Sequence, residues 1–450
     1  METIASNILQ KSKLLIKGLM IGGLVLLLLI PAYFVQSLIK EREERQKEAV
    51  SEVSSKWADR QNVTGPLLVI PYNENTTSSD GKPLIIRHQA YFLPDKLDIQ
   101  STVNPEKRYR GIYQVMLYSS EIKMTGKFSP LPLEKMKIAP AVILWSEAYV
   151  SMGVSDAKGL QNEILLKWND STVGLSPAVS SAASVGELFT APLQLTEGDI
   201  TKDISFSATL NLNGSEQLLF TPVGKETTVE MRSAWPDPSF TGGQLPLTSD
   251  INKSGFTAKW KNLSHTRKFP QQWIDNASKV GDYISTQIHG MDTMNSLSSE
   301  AFGADLFVPV NGYQKTMRSV KYAILCILLT FAAFFIIETV NKRSVHPFQY
   351  ALIGLALILF YTLLLSFSEY TGFNIAYIIA SVATVGLIAW FVKGLLQSSK
   401  LTSVLSVILV LMYSYVFTIL QLQDYSLLLG SIGLFLTLAV IMHFSKKIQW

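Results

Sequence analysis

Five histidines, one cysteine and 35 acidic residues are the groups this 450-residue sequence offers for catalysis or metal binding. His88, His265, His289, His346 and His443 stand far apart, and none has a second His or Cys at the spacing that lets two side chains reach one ion. His346 and His443 flank apolar runs, which leaves three for a soluble site. Ser264-His265 is a lone pair on an expected loop, where an exposed structural role fits best. Asp156 and Glu163 could work as an acid/base pair only if folding brought them together. The sequence contains no G-x-S-x-G, H-E-x-x-H, G-x-x-x-x-G-K-[ST] or G-x-G-x-x-G. No catalytic, cofactor-binding or metal residue is nominated, no cofactor is implied, and no motif points to an enzyme.

The elements that would have to position any site come in two kinds. Charged residues are 16% of the chain and apolar residues 48%, a skew toward membrane proteins. Long apolar runs occupy the N-terminus and the last third, whereas Lys40–Arg318 is polar and mixed. The net charge of +4 divides unevenly: the polar region carries a small acidic excess, and the basic excess lies beside the apolar runs. There it would set topology; nucleic-acid binding would require it on the soluble region. Cys326, the single cysteine, falls inside an apolar run, so the polar region holds together without disulfides.

The first run, residues 14–39, opens beside Lys11, Lys13 and Lys17 and is long enough to cross the bilayer. It continues into Pro31-Ala32-Tyr33 without a small-residue cleavage site, so it reads as an uncleaved anchor. Five more runs lie at 320–340, 348–367, 374–392, 401–420 and 425–442. Basic loops (Lys342-Arg343, Lys393–Lys400, Lys446-Lys447) alternate with loops holding Glu369 and Asp424 and no cation, the positive-inside pattern. The expected topology is a cytoplasmic N-terminus at 1–13, one span, residues 40–319 outside, five spans within 320–443, and a cytoplasmic C-terminus at 444–450. Glu338, Glu369, Lys321 and Lys393 fall at span ends and no charge falls at mid-span, which argues against a coupled ion transporter. A channel could use Thr362, Ser366, Ser381 and Thr384; Gly354, Gly386, Gly430 and Gly433 would allow close helix packing.

Residues 40–64 read as a charged helical stalk, with Glu41–Arg45 and Glu43–Lys47 at i,i+4. From 65 to 319 the pattern is one of short strands. They include Leu67–Ile70, Leu84–Ile86, Ala90–Leu93, Ile112–Tyr118, Thr227–Arg232 and Phe256–Trp260. The alternating Ile204–Leu212 is expected to turn at Asn213-Gly214 into Gln217–Phe220. Such punctuation predicts a mostly antiparallel sandwich or barrel. Asp275–Ser299 reads as helix or loop. The aromatic Trp235-Pro236-Asp237-Pro238-Ser239-Phe240 segment is expected to pack its rings under a sheet edge. The fold class is thus a membrane α-helical protein (one plus five transmembrane helices) with a large inserted β-rich domain outside the cytoplasm, which the resemblance described next makes periplasmic.

The whole chain resembles the CreD family of bacterial inner-membrane proteins. The resemblance rests on Gly65-Pro66-Leu67-Leu68-Val69-Ile70-Pro71-Tyr72, Arg108-Tyr109-Arg110-Gly111-Ile112-Tyr113 and Trp235–Phe240. Further on it rests on Ala301-Phe302-Gly303-Ala304-Asp305-Leu306, Val320-Lys321-Tyr322-Ala323, His346-Pro347-Phe348-Gln349-Tyr350, Leu365-Ser366-Phe367-Ser368-Glu369 and Leu420-Gln421-Leu422-Gln423-Asp424-Tyr425. It implies an inner-membrane location in a Gram-negative cell and a role in envelope integrity. In relatives that role is tied to a two-component system and to tolerance of colicins or β-lactams. It supplies no site residues. The expected function is non-enzymatic, with the periplasmic domain binding an envelope protein partner, lipid or wall component. The alternatives are a channel or facilitator in the C-terminal bundle and a membrane-tethered envelope hydrolase.

Overall fold

A computed structural model describes residues 2–78, 80–136, 138–139, 142–178, 187–275, 297, 299–306, 312–341, 345–422, 428–433, 435, 439 and 442. The chain divides into two compact units: one from Met1–Lys47 with Val310–Trp450, the other Glu48–Pro309.

The helical unit begins with α1 (Glu2–Trp57), which carries the apolar run and the charged stretch as one continuous helix. Val25, Leu28, Ala32, Val35 and Ile39 are buried, whereas Leu26, Leu27, Ile30 and Phe34 are exposed. Alternating steps of three and four residues put the buried set on one narrow stripe, the seam of a helix packed along one side. The apolar run expected as one span over 320–340 is broken instead. It forms α2 (Gly312–Lys321) and α3 (Ala323–Val340), bent by 43° at Tyr322. Then come α4 (Pro347–Thr371), α5 (Phe373–Leu396) and α6 (Ser399–Gln421). His346 starts α4 with a capping box: its Nδ1 accepts from Phe348 N at 3.3 Å, and Gln349 Oε1 accepts from His346 N at 2.9 Å. Among the described residues four helices are long and apolar enough to cross a membrane, five if α2 and α3 count as one. Most of the run at 425–442 lies outside the described residues.

Aromatic rings fill the bundle interior. Phe360 contacts Tyr361, Tyr377 and Tyr413 at 4.9, 5.3 and 4.6 Å between centroids, and the Tyr377 hydroxyl donates to Tyr413 O at 2.9 Å. Of the four glycines expected to allow close packing, Gly354 and Gly433 do so. A Cβ at Gly354 would strike Leu28 of the α1 stripe, and one at Gly433 would strike the Tyr415 ring. Gly386 and Gly430 face open space.

The described residues of the second unit form sixteen strands: β1 (Gln61–Thr77), β2 (Pro83–Phe92), β3 (Lys96–Arg110), β4 (Tyr113–Phe128), β5 (Tyr149–Val154), β6 (Ile164–Trp168), β7 (Ser171–Pro177), β8 (Glu187–Pro192), β9 (Ile204–Ser215), β10 (Gln217–Phe220), β11 (Glu226–Ser233), β12 (Ser239–Gly242), β13 (Thr248–Asn252), β14 (Gly255–Leu263), β15 (Gln272–Asp275) and β16 (Phe302–Asp305). They form one open sheet in the order β12-β16-β10-β1-β5-β8-β7-β6-β9-β4-β3-β11-β14-β13, with β2 and β15 branching from β1. The path does not close among the described strands, so of the expected sandwich or barrel the closed form is not made by these strands. Pairing is antiparallel except for β1 with β10 and β3 with β11. β1 is buried almost continuously from Val63 to Pro71 because it has β5 on one side and β10, then β2, on the other. One apolar core gathers Leu68 and Phe92 from one end of the path and Ile122, Leu210 and Trp260 from the other.

Two expectations need correction. The helix ends at Trp57 and β1 starts at Gln61, ahead of the expected domain start at Gly65. The Asn213-Gly214 hairpin does not exist: β9 runs through both residues, paired with β4 up to Ser215, while β10 leaves to pair with β1 and β16. The direction changes at Glu216, which has φ 58°. Gly214 serves packing instead. A Cβ there would meet the Tyr118 ring, which is fully buried and donates its hydroxyl to Gln217 O at 2.7 Å.

Candidate functional site

The carboxylates weighed for acid/base work are not brought together. Asp156 is a cap: its Oδ1 accepts from Lys158 N and its Oδ2 from Asp59 N, each at 3.0 Å. Glu163 lies instead against Gly174. His265 is exposed on a short 3₁₀ turn. His88 is buried, stacked on Tyr72 at 5.2 Å, with Nε2 at 2.7 Å from Glu74 Oε2. No nucleophile or second ligand joins that pair among the described residues, and no group of three His, Cys, Asp or Glu there could hold a metal. His289 and His443 lie outside the described residues.

Sequence reasoning missed Arg267, a buried cation with no carboxylate partner among the described residues. Its Nη1 donates to the carbonyls of Pro222, Val223 and Gly224 at 3.0, 2.6 and 3.3 Å, its Nη2 to Gln271 Oε1. The guanidinium lies 4.5 Å from the Phe269 ring centre. Burial pushes its pKa down to about 10, which leaves it charged at neutral pH and bound to carbonyls as an internal tie. A cleft of about 540 Å³ is lined by Lys167, Asn169, Asp170, Asp199, Lys202 and Asp203 among others. Two of these three carboxylates have local partners. Asp199 accepts from Thr196 N and Oγ1 at 2.8 and 2.6 Å, which holds its carboxyl below the usual range. Asp203 pairs with Lys127 at 2.7 Å.

The aromatic segment packs as expected. Trp235 is buried, with Nε1 donating to Asp237 O at 2.9 Å, and Phe240 packs on Phe256 and Trp260 at 5.8 and 5.6 Å. The next strand behaves in the opposite way. β13 ends the strand path, hydrogen-bonded only to β14 among the described residues, and all five of its residues are exposed. Leu245 and Leu247, just before it, are 70% and 74% exposed, and Ile251 within it is 48% exposed. An unpaired strand edge carrying apolar side chains is a surface that proteins ordinarily protect.

At the start of the sheet unit, polar contacts tie the last turns of α1 to the strands. Glu52 accepts from Lys56 at 2.7 Å and from Arg110 at 3.0 and 3.2 Å; these cations hold its carboxyl below the usual range. Arg108 lies 5.0 Å over the Trp57 ring, and Arg60 grips Glu216 through Nε and Nη2 at 3.1 and 2.8 Å.

In the helical unit both carboxylates expected at span ends act as clasps on α1. Glu338 is buried; it pairs with Lys17 and accepts from Val345 N at 2.8 Å and the Tyr350 hydroxyl at 2.7 Å. Lys17 also donates to Val345 O at 2.8 Å. Glu369 accepts from the Tyr313 hydroxyl at 3.0 Å and lies 3.9 Å from Arg42. Of the hydroxyls weighed for a channel, Thr362 donates to Leu359 O of its own helix and Ser366 is exposed, whereas the Ser381 and Thr384 hydroxyls, three residues apart on α5, are buried without a hydrogen-bond partner among the described residues.

Several apolar helices and a large sheet-rich unit without a catalytic constellation among its described residues define a multi-pass membrane protein carrying a β-rich domain. Residues 13–450 match the family described as "Inner membrane protein CreD". The chain belongs to that family. It is 31% identical over 444 residues to "Inner membrane protein CreD" of Escherichia coli (strain K12), covering 98% of this chain and 94% of the relative. Neither description states an activity. Among solved structures, an M1 zinc metallopeptidase from Deinococcus radiodurans and a point mutant of it align at TM-score 0.19 and 10% and 11% identity. Each covers 41% of this chain and 42% of the other. Likeness that low carries no argument.

Proposed function

We propose that this inner-membrane protein supports envelope integrity without catalysis, by binding a protein partner through its sheet unit. In this reading six spans, the sixth at 425–442, leave both termini in the cytoplasm and residues 40–319 in the periplasm. The alternation of basic and cation-free loops supports that orientation. The observation that carries the binding role is the β13 edge. Its unpaired backbone groups can add a strand, and Leu245, Leu247 and Ile251 supply apolar contacts beside them. A strand-adding partner is therefore favoured over a lipid or wall component. The ring-filled bundle interior gives the channel reading no support.

Photo-crosslinkers placed singly at Leu247, Ile251 and Leu165 test this in living cells. Leu165 is a control: 53% exposed, but on β6, which is paired on both sides by β7 and β9. Discrete protein adducts at Leu247 and Ile251 and none at Leu165 are expected. Equal labelling at all three, or none at the edge, overturns the assignment.

A further inference from the structure

The 43° bend at Tyr322 takes α2 off the line of its span, and side chains fasten it across one end of the bundle. Tyr313 donates to Glu369, near the C-terminus of α4. Lys315 donates to Gln421, the last residue of α6, at 3.2 Å. Its Nζ also lies 5.5 Å over the ring of Phe373, the first residue of α5. Three helix ends meet there, so α2 lies at the boundary where the apolar spans stop.

Its two faces differ. Tyr313, Thr316, Ser319 and Val320 are buried, while Gln314, Arg318 and Lys321 are exposed. Residues three apart on a helix are neighbours, so Lys315, Arg318 and Lys321 form one cationic ridge. Lys315 is engaged as above. Arg318 and Lys321 have no hydrogen-bond or ion-pair partner among the described residues. The nearby carboxylate of Glu369 is already taken by Tyr313 and Arg42. Adjacent like charges on a helix destabilise it unless an anion neutralises them. At the rim of a membrane bundle the anion at hand is the phosphate of a phospholipid, and cations next to a span attract anionic lipids by that route.

We propose that α2 is an interfacial helix whose Arg318 and Lys321 bind the headgroup of an anionic phospholipid. Arg318 offers a planar fork to the phosphodiester and Lys321 a point charge one turn on. The contacts of Tyr313 and Lys315 with the three helix ends hold both cations where the apolar spans stop.

The test uses the full chain in neutral detergent, titrated with phosphatidylglycerol or phosphatidylcholine and monitored by native mass spectrometry of lipid adducts. Phosphatidylglycerol is expected to bind in preference to phosphatidylcholine. R318Q/K321Q should weaken phosphatidylglycerol binding roughly 30-fold, the effect of two interfacial cations, and leave phosphatidylcholine unchanged. R318K/K321R, which keeps both charges, should retain the preference and controls for folding. Millimolar inorganic phosphate should not displace the lipid. An undiminished preference in R318Q/K321Q, loss of it in R318K/K321R, or full displacement by phosphate overturns the proposal.

Discussion

Removing the Glu338 charge should loosen the helical unit without altering any ion flux. The Glu338 side chain is 5% exposed and that of Lys17 19%. Breaking a buried pair by deleting one partner costs about 3–5 kcal/mol, because the other charge is left uncompensated. Lys17 has some access to solvent, so E338Q should cost about 2–4 kcal/mol, less than a fully enclosed pair. In a unit of this size that lowers Tm by roughly 5–12 °C. K17M strands the opposite charge and should act similarly. In K17M/E338Q no charge is left; the Gln oxygen can still accept from Val345 N, and its NH2 can donate to the Tyr350 hydroxyl, which then acts as acceptor. The double variant should therefore recover at least half of the loss. The assay is thermal unfolding of the purified full chain in detergent, with a pH-sensitive dye in liposomes as second readout. Glu338 and Glu369 are clasped to Lys17 and Arg42, 25 residues apart on α1. At the helical rise this separates them by roughly 37 Å, far beyond the roughly 3 Å of one proton transfer. Additive Tm losses in the double variant would refute the ion-pair reasoning. A protein-dependent proton flux abolished by E338Q or E369Q would overturn the non-transport reading.

Reporter fusions at Glu369 and Asp424 should read periplasmic, and those at Lys342, Gln397 and Lys446 cytoplasmic; inversion at any two reverses the topology. Residues 57–310 expressed alone should give a β-dominated circular dichroism spectrum and a cooperative melt that reductant leaves unchanged, and a helical spectrum would contradict the sheet assignment. In that fragment R267M should cost roughly 5 kcal/mol by urea unfolding. The charged bonds lost to three carbonyls and Gln271 contribute about 2 kcal/mol each, and removing a guanidinium whose pKa is pushed from 12.5 to about 10 returns roughly 3 kcal/mol. A neutral or stabilising result would show that those carbonyls find other donors.

How much of the fold was legible in the sequence depends on how local each signal is. In β9, Ile204, Phe206, Ala208, Leu210 and Leu212 point to the core and the residues between them are less buried, so its alternation could be read directly. β3, on the far side of β4, has the same alternation, Leu97, Ile99, Ser101 and Val103 inward. It was hidden because Ser101 takes an apolar place and is satisfied there by Ser120 at 3.0 Å. Asn213-Gly214 misled because a glycine that opens a turn and a glycine that admits a ring are written with the same letter. Only the partner strand, which puts Tyr118 opposite Gly214, separates the two.

The membrane segments set a different limit. Length and apolarity mark a span, but a helix apolar all round has no periodic signal to show which side meets protein. The stripe Val25-Leu28-Ala32-Val35-Ile39 emerges only once Leu28 is seen against Gly354. Glu338 could be placed at a span end from sequence, since a carboxylate is costly deeper in hydrocarbon. That it is buried there could not, because its counter-charge is Lys17, 321 residues away. The same reasoning explains why Arg318 and Lys321 looked ordinary. Basic residues just before a span are common, and only with Glu369 taken by Tyr313 and Arg42 is it plain that their charges are unmet within the described chain. Long-range pairing decides which charges at a membrane boundary are spent on folding. Those left over are the ones available to lipid.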